Sequence, residues 1–492
     1  LRACRGRPAA PQLLREELRN FSKIAPLITL AVLAAAGSPR AAEPAVETWL
    51  TDQAASILFR KQPDTPYGAP AAGAPSIVID PAAKYQEIDG FGYTLTGGSA
   101  QLIQALPPAR REALLKELFL SDGTNIGVSY LRVSIGASDL DDKAFSYDDM
   151  PPGKTDPDLA NFDLGQHKAA LVPVLKQIIA LNPSIKILAV PWSAPAWMKA
   201  IPGTVGSSLK GANFGVYARY FVKYIQAMKA EGINIDAVAV QNEPLNPDNN
   251  PSMVMPPAKQ KLFIRDHLGP AFAQAGLKTR IIIYDHNCDE TAYPLSILSD
   301  PRAAAYIDGS AFHLYDGDIS ALTAVHDAYP AKNVYFTEQW VGAPGDMAGD
   351  FRWHVKEVVI GSVRNWSRTA LEWNLAADPA YGPHTAGGCD ACLGALTIGK
   401  EITRNPAYYI IAQASKFVRP GSVRLGSTLP EGLPNAAFLT PAGELVLIVL
   451  NDGEKPAAFG VEAAGRKFAA SLNPGAAGTY VLRAPEARPA AI

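Results

Sequence analysis

Cysteine is scarce in this chain, with 4 among 492 residues, which excludes a fold held by a disulfide framework. Cys4 lies in a basic leader, Cys288 is isolated, and Cys389 and Cys392 form a lone C-x-x-C in a Gly-rich loop, a local disulfide if the protein is exported. Zinc would need two further ligands beside that half-site. Charge of either sign is nearly balanced at a net −2, with lysines and arginines dispersed along the chain. That balance gives no footprint for nucleic acid or for a membrane surface, and it suits a neutral substrate. Two signatures are also missing. No Gly-rich dinucleotide fingerprint or phosphate loop follows an early strand, and no G-x-S-x-G elbow marks a serine hydrolase.

What remains is an ordinary globular composition, 48 % hydrophobic and 19 % charged, with length for one large domain and a smaller one. The first forty residues differ from the rest. Arg2, Arg5, Arg7, Arg15, Arg19 and Lys23 precede an apolar run from Ile24 to Ala36, too short to span a bilayer and followed by small residues. Residues 1–42 are therefore expected to be a secretory signal, with export to the periplasm or the exterior and no integral span after its removal.

From residue 88 a regular alternation begins. Strands are expected at Ile88–Gly92, Val128–Ile135, Lys186–Ser193, Ala237–Pro244, Arg280–Asn287, Gly309–Tyr315, Asn333–Trp340 and Ala370–Ala376, most followed by a helix-periodic stretch. Eight such units argue for a (β/α)8 TIM barrel over residues 85–405, with a doubly wound open sheet as the alternative. After Asn405 the helical pattern fades into short β-like runs. These, residues 406–492, together with the proline-broken segment 43–84, are expected to form one discontinuous β-sandwich side domain.

In a barrel the site lies where the strands end. That rule selects Arg132, Trp192, Asn242, Glu243, His313, Tyr315, Glu338, Trp373 and Asn374. Glu243 follows the apolar run Ala237–Val240, and Glu338 follows Val334-Tyr335-Phe336-Thr337, so two strands end on a carboxylate. Two carboxylates held at fixed separation are what cleavage of a glycosidic bond needs. Trp192 and Trp373, if exposed at the mouth, would offer indole faces to a sugar ring, and could otherwise be core. His313 has no second histidine or acidic pair at metal-ligand spacing in the sequence.

These residues carry a resemblance to the glucosylceramidase-like enzymes of glycoside hydrolase family 30. It runs from about Gln86 to Leu482 through Gly90-Phe91-Gly92, Leu131-Arg132-Val133, Pro191-Trp192-Ser193, Gln241-Asn242-Glu243-Pro244, Phe312-His313-Leu314-Tyr315, Phe336-Thr337-Glu338 and Glu372-Trp373-Asn374. The resemblance implies a retaining β-glycosidase in which Glu243 is the general acid/base, Glu338 the nucleophile, and the carboxyls stand roughly 5–5.5 Å apart. It implies that Asn242 holds the sugar 2-hydroxyl, that Tyr315 steadies the nucleophile, and that Trp192, His313, Arg132 and Trp373 line the sugar subsite. No cofactor and no metal is implied.

The acid would have a raised pKa from burial and from the neighbouring anion. Thr96-Gly97-Gly98 offers no acidic grip on the far hydroxyls of the sugar and looks like microbial branches of the family, including those acting on β-1,6-glucan. The loop from Asn374 to Lys400 lacks arginine, which disfavours the branch that reads a glucuronate on xylan. The expected substrate is a β-linked glucan, glucoside or glycolipid, β-1,6-glucan foremost. The alternatives are a β-xylosidase or another β-glycosidase of the same family, or a carbohydrate-binding barrel without turnover.

Overall fold

The computed structural model describes residues 45–483, so the expected signal segment lies outside the described residues. Eight parallel strands, Gly90–Thr94, Tyr130–Ser134, Lys186–Val190, Ala237–Ala239, Arg280–Asn287, Ile307–His313, Asn333–Glu338 and Ser367–Asn374, close into a barrel. The eighth pairs with the first from Thr369↔Gly90 onward. Their sequences are near-continuous apolar runs because helices cover one face and the barrel interior fills the other.

The eight strands fall where the sequence places them, most of them ending one to five residues early, the third and fourth by the largest margins. The third stops at Val190 and the fourth at Ala239, before the expected Ser193 and Pro244. Pro191 has no amide to continue the ladder, and Asn242 and Glu243 turn out of it. Glu243 has a φ of 42°, and its amide donates instead to the Asp285 carbonyl at 2.9 Å.

The β-sandwich takes strands from both ends of the described chain. Ala45–Asp52 pairs antiparallel with Ala477–Leu482, and Ser76–Glu87 lies between Val423–Ser427 and Ala457–Ala463. Neither segment could bury its own apolar face, and together they enclose a core that includes Ile77, Leu447, Phe459, Phe468 and Tyr480.

One element differs from expectation. The stretch after Asn405, expected to be sandwich, opens with a helix, Pro406–Ser415. Every residue of it but Tyr409 is buried, so it has no polar face to give a helical period in the sequence. Tyr93 of the first barrel strand donates to the Ala407 carbonyl, while Gln413 donates to Thr51 and accepts from Thr479 of the sandwich, both at 2.7 Å. The helix thus closes the barrel and seats the second domain. No helix among the described residues is long and apolar enough to cross a membrane.

Candidate active site

The strand ends converge on one buried charge cluster. Arg132 leaves the second strand fully buried and spends its guanidinium on three acceptors: Glu338 Oε2 at 2.5 Å, Asp285 Oδ2 at 2.8 Å and Asn242 Oδ1 at 2.5 Å. A guanidinium can only donate, so the Asn242 oxygen must face it and the amide NH2 is left for another acceptor. Glu338 is gripped on its other side by the Tyr315 hydroxyl, which donates to Oε1 at 2.9 Å. Glu243 is held separately. Asn246 donates to its Oε2 at 2.8 Å, and His313 Nδ1 stands 3.4 Å from its Oε1.

His313 is fully buried and its other nitrogen faces Asp285 Oδ1 at 3.3 Å, with Thr337 donating to the same oxygen at 2.7 Å. Asp285 therefore joins the two cations from below. Its backbone and that of Tyr284 sit at φ 64° and 73°, a conformation that costs about 1–3 kcal/mol for a residue other than glycine and is kept where the surroundings impose it.

Asp285 was not among the residues selected from the sequence. The first and fifth strands contributed no candidate, and the strand-end rule applied to the fifth, Arg280–Asn287, would have found it. Asp139, in the loop after the second strand, gave no comparable signal. Its carboxylate is buried, with Oδ2 accepting from the Cys389 amide at 3.3 Å and Oδ1 without a partner. At Gly97 itself no side chain could stand, because a Cβ there would lie 1.6 Å from Asp141 Oδ1. Cys389 and Cys392 are joined in a disulfide within the loop that supplies the amide to Asp139.

Of the two readings of the tryptophans, the structure shows the buried one. Trp192 and Trp373 are 1 % and 4 % exposed, packed against each other with centroids 5.4 Å apart. The Arg132 guanidinium lies 4.8 Å from the Trp192 ring and 5.7 Å from the Trp373 ring. Cation–π contact with the indoles helps keep this charge in a dry site. Neither ring is an open platform at the mouth, and Arg132 reaches the carboxylates themselves. Asn374, at the end of the eighth strand, donates to the Cys392 carbonyl at 3.3 Å.

The charges set the proton positions. Burial pushes the Glu243 carboxyl up, but the His313 hydrogen bond and charge, with His286, outweigh it and pull the group down to about 2. Burial opposes a charged His313, yet Glu338, Asp285 and Glu243 raise it to about 9. Glu338 is raised by burial, with Glu243 and Asp285 adding to it against His313 and Arg132. Asp139 is pushed up to about 7 by burial and by Glu338. The expectation of a raised Glu243 is thus corrected: its carboxyl is lowered and the His313 imidazole raised, each favouring its charged form.

One oxygen of Glu243, one of Glu338 and a ring nitrogen of His313 all lie within 4.8 Å of one another. The fold thus brings to His313 the acidic pair that the sequence spacing did not. As a cation site this set is poor, because Arg132 already neutralises Glu338 and His313 is itself protonated.

Two family models match the chain. The glycosyl hydrolase family 30 TIM-barrel domain matches residues 88–418, and the family 30 β-sandwich domain matches residues 421–480. The chain belongs to glycoside hydrolase family 30. It is a glycosidase. Among family relatives, it is 38 % identical over 390 residues to endo-1,6-beta-D-glucanase of Neurospora crassa, covering 74 % of this chain and 78 % of that protein. Endo-1,6-beta-D-glucanase BGN16.3 of Trichoderma harzianum is 34 % identical over 446 residues, covering 85 % and 88 %. The solved structure of the endo-beta1,6-glucanase BT3312 superposes with a TM-score of 0.84 at 34 % identity, covering 90 % of this chain and all of that one.

Proposed function

We propose that this family 30 enzyme is exported and hydrolyses β-1,6-linked glucan with retention, Glu338 acting as nucleophile and Glu243 as acid/base. The observation that carries the mechanism is the pair of unequal carboxylates with oxygens within 4.8 Å of each other. Retaining glycosidases hold their carboxyls roughly 5–5.5 Å apart, whereas inverting enzymes leave about 6.5–9.5 Å for a water.

The division of roles follows from the partners. Glu338 is aimed by two donors, Arg132 and Tyr315, which suits an anion that must attack. In the first step a Glu338 oxygen bonds to the anomeric carbon, and the bond from that carbon to the leaving oxygen breaks. As the bound sugar shortens the 3.4 Å contact, the proton passes from His313 Nδ1 to Glu243 and on to the leaving oxygen, which leaves Glu243 ionised and ready to act as the base. In the second step Glu243 accepts a proton from the incoming water and the ester is cleaved. The NH2 of Asn242 is free to donate to the sugar 2-hydroxyl, and Asp139 Oδ1 to accept from a hydroxyl at the far side.

The substrate class rests on the relatives, three of which bear the name endo-1,6-beta-D-glucanase at 34–38 % identity. Export rests on the basic and apolar order of residues 1–42, and a disulfide between Cys389 and Cys392 is the kind of bond that persists outside the cytosol. The test is hydrolysis of β-1,6-glucan, an aryl β-glucoside, an aryl β-xyloside and glucosylceramide by the wild type and by Glu338→Ala. Release of glucose oligomers from the polymer, lost in the variant, is the expected result. Turnover of only the xyloside or the glycolipid would sink the substrate assignment, and an active Glu338→Ala would sink the mechanism.

A further inference from the structure

Tyr315 has two faces in this molecule. Its hydroxyl reaches Glu338, while its ring is 38 % exposed and forms one wall of a cleft of about 400 Å3. Trp353, on the helix Met347–His354 that follows the seventh strand, also lines it, with Asp316, Asp318 and Glu357. At 40 % exposure Trp353 is the most exposed tryptophan among the described residues. An aromatic ring left open beside several carboxylate acceptors, in a cleft of the size that small ligands fill, fits a polyhydroxylated ring. The apolar face of a sugar stacks on the indole, and its hydroxyls donate to the acids.

The cleft is stiff. The Tyr315 amide donates to Asn287 Oδ1 at 3.2 Å and the Cys288 amide to the Asp316 carbonyl at 3.0 Å. Gly317 lets this loop press against its neighbour: it sits at φ 86°, and a Cβ there would lie 2.4 Å from the Cys288 and Asp289 backbone. The His354 ring packs edge-on against Trp353 at 4.9 Å and is itself held by Glu372 at 2.8 Å. A preformed cleft binds without paying to order its walls.

We propose that this cleft is an outer subsite that holds a further glucosyl residue of the glucan chain, stacked on Trp353 and guided past Tyr315 from the catalytic carboxylates. A 1,6-linkage adds a rotatable exocyclic carbon between rings, which lets the next residue swing to the side of the barrel mouth where Tyr315 stands. The inference rests on the β-1,6-glucanase reading above.

Its test compares Trp353→Ala and Trp353→Tyr with the wild type on β-1,6-linked gluco-oligosaccharides of increasing length and on an aryl β-glucoside. For Trp353→Ala the expected result is a rise in KM of roughly three- to tenfold on the longer oligosaccharides, the loss of one stacked ring, with the aryl glucoside unchanged. Trp353→Tyr should keep most of the wild-type KM. Equal loss on both substrates, or no loss on either, overturns the subsite. If the wild type cleaves the aryl glucoside but no β-1,6-linked oligosaccharide, the function assigned above fails and this subsite falls with it. A wild type that cleaves the oligosaccharides, with Trp353→Ala unaffected, removes the subsite alone.

Discussion

Replacing Asp285 with asparagine takes one negative charge from beneath two buried cations, Arg132 at 2.8 Å and His313 at 3.3 Å, while keeping the size of the side chain. Three carboxylates together lift His313 from 6.5 to about 9 against the opposing effect of burial. Losing one of three should lower that value by at least about one unit, worth about 1.4 kcal/mol. His313 must be protonated to resupply Glu243, so activity is present below its pKa and lost above it. The assay is kcat/KM for an aryl β-glucoside against pH, which reports the free enzyme. The wild type should lose activity as pH rises through about 9. In Asp285→Asn the alkaline limb should move toward neutrality, on top of a general fall caused by a less firmly held Arg132. An alkaline limb that stays in place while the whole profile drops would refute the proton-holding role and leave Asp285 a structural anchor.

Other outcomes follow from the same geometry. Glu338→Ala should lose on the order of 10^4-fold or more in kcat. Added azide should then enter from the vacated face and give the α-glycosyl azide, whereas Glu243→Ala should yield the β-glycosyl azide; the reverse products would exchange the two roles. Gly97→Ala would drive its methyl into Asp141, so a loss of about 1–3 kcal/mol is expected in thermal or denaturant unfolding, and an unchanged midpoint would contradict the close approach. His313 is raised on folding, so its contribution to stability is complete below pH 6.5 and disappears as pH climbs through about 9. The stability difference between wild type and His313→Gln should therefore shift against the wild type by about 3 kcal/mol over that interval, and a constant difference would argue against a charged histidine.

The barrel was legible because its strands are buried on both faces and so read as apolar runs broken by helical periods. The strand-end rule then pointed to Glu243 and Glu338 without any coordinates, since a carboxylate ending an apolar run is costly unless it is used. The sandwich was readable as short alternating strands, even with Ser76–Glu87 supplied from the other end of the chain. The helix Pro406–Ser415 was not, because burial on nearly all sides removes the polar face that periodicity detects.

What the sequence could not determine is which charges meet. Arg132, Asp285, His313 and Glu338 lie on different strands, and only closure of the barrel brings each cation within 2.5 to 3.8 Å of both carboxylates. That closure made Arg132 the counter-ion of Glu338, set Trp192 and Trp373 against its guanidinium, and lowered the Glu243 carboxyl while raising the His313 imidazole. Residue type and strand position are local properties that a linear pattern records. Proton positions depend on distances across the barrel, where a shift of a few ångströms in a dry site changes an interaction by several kcal/mol.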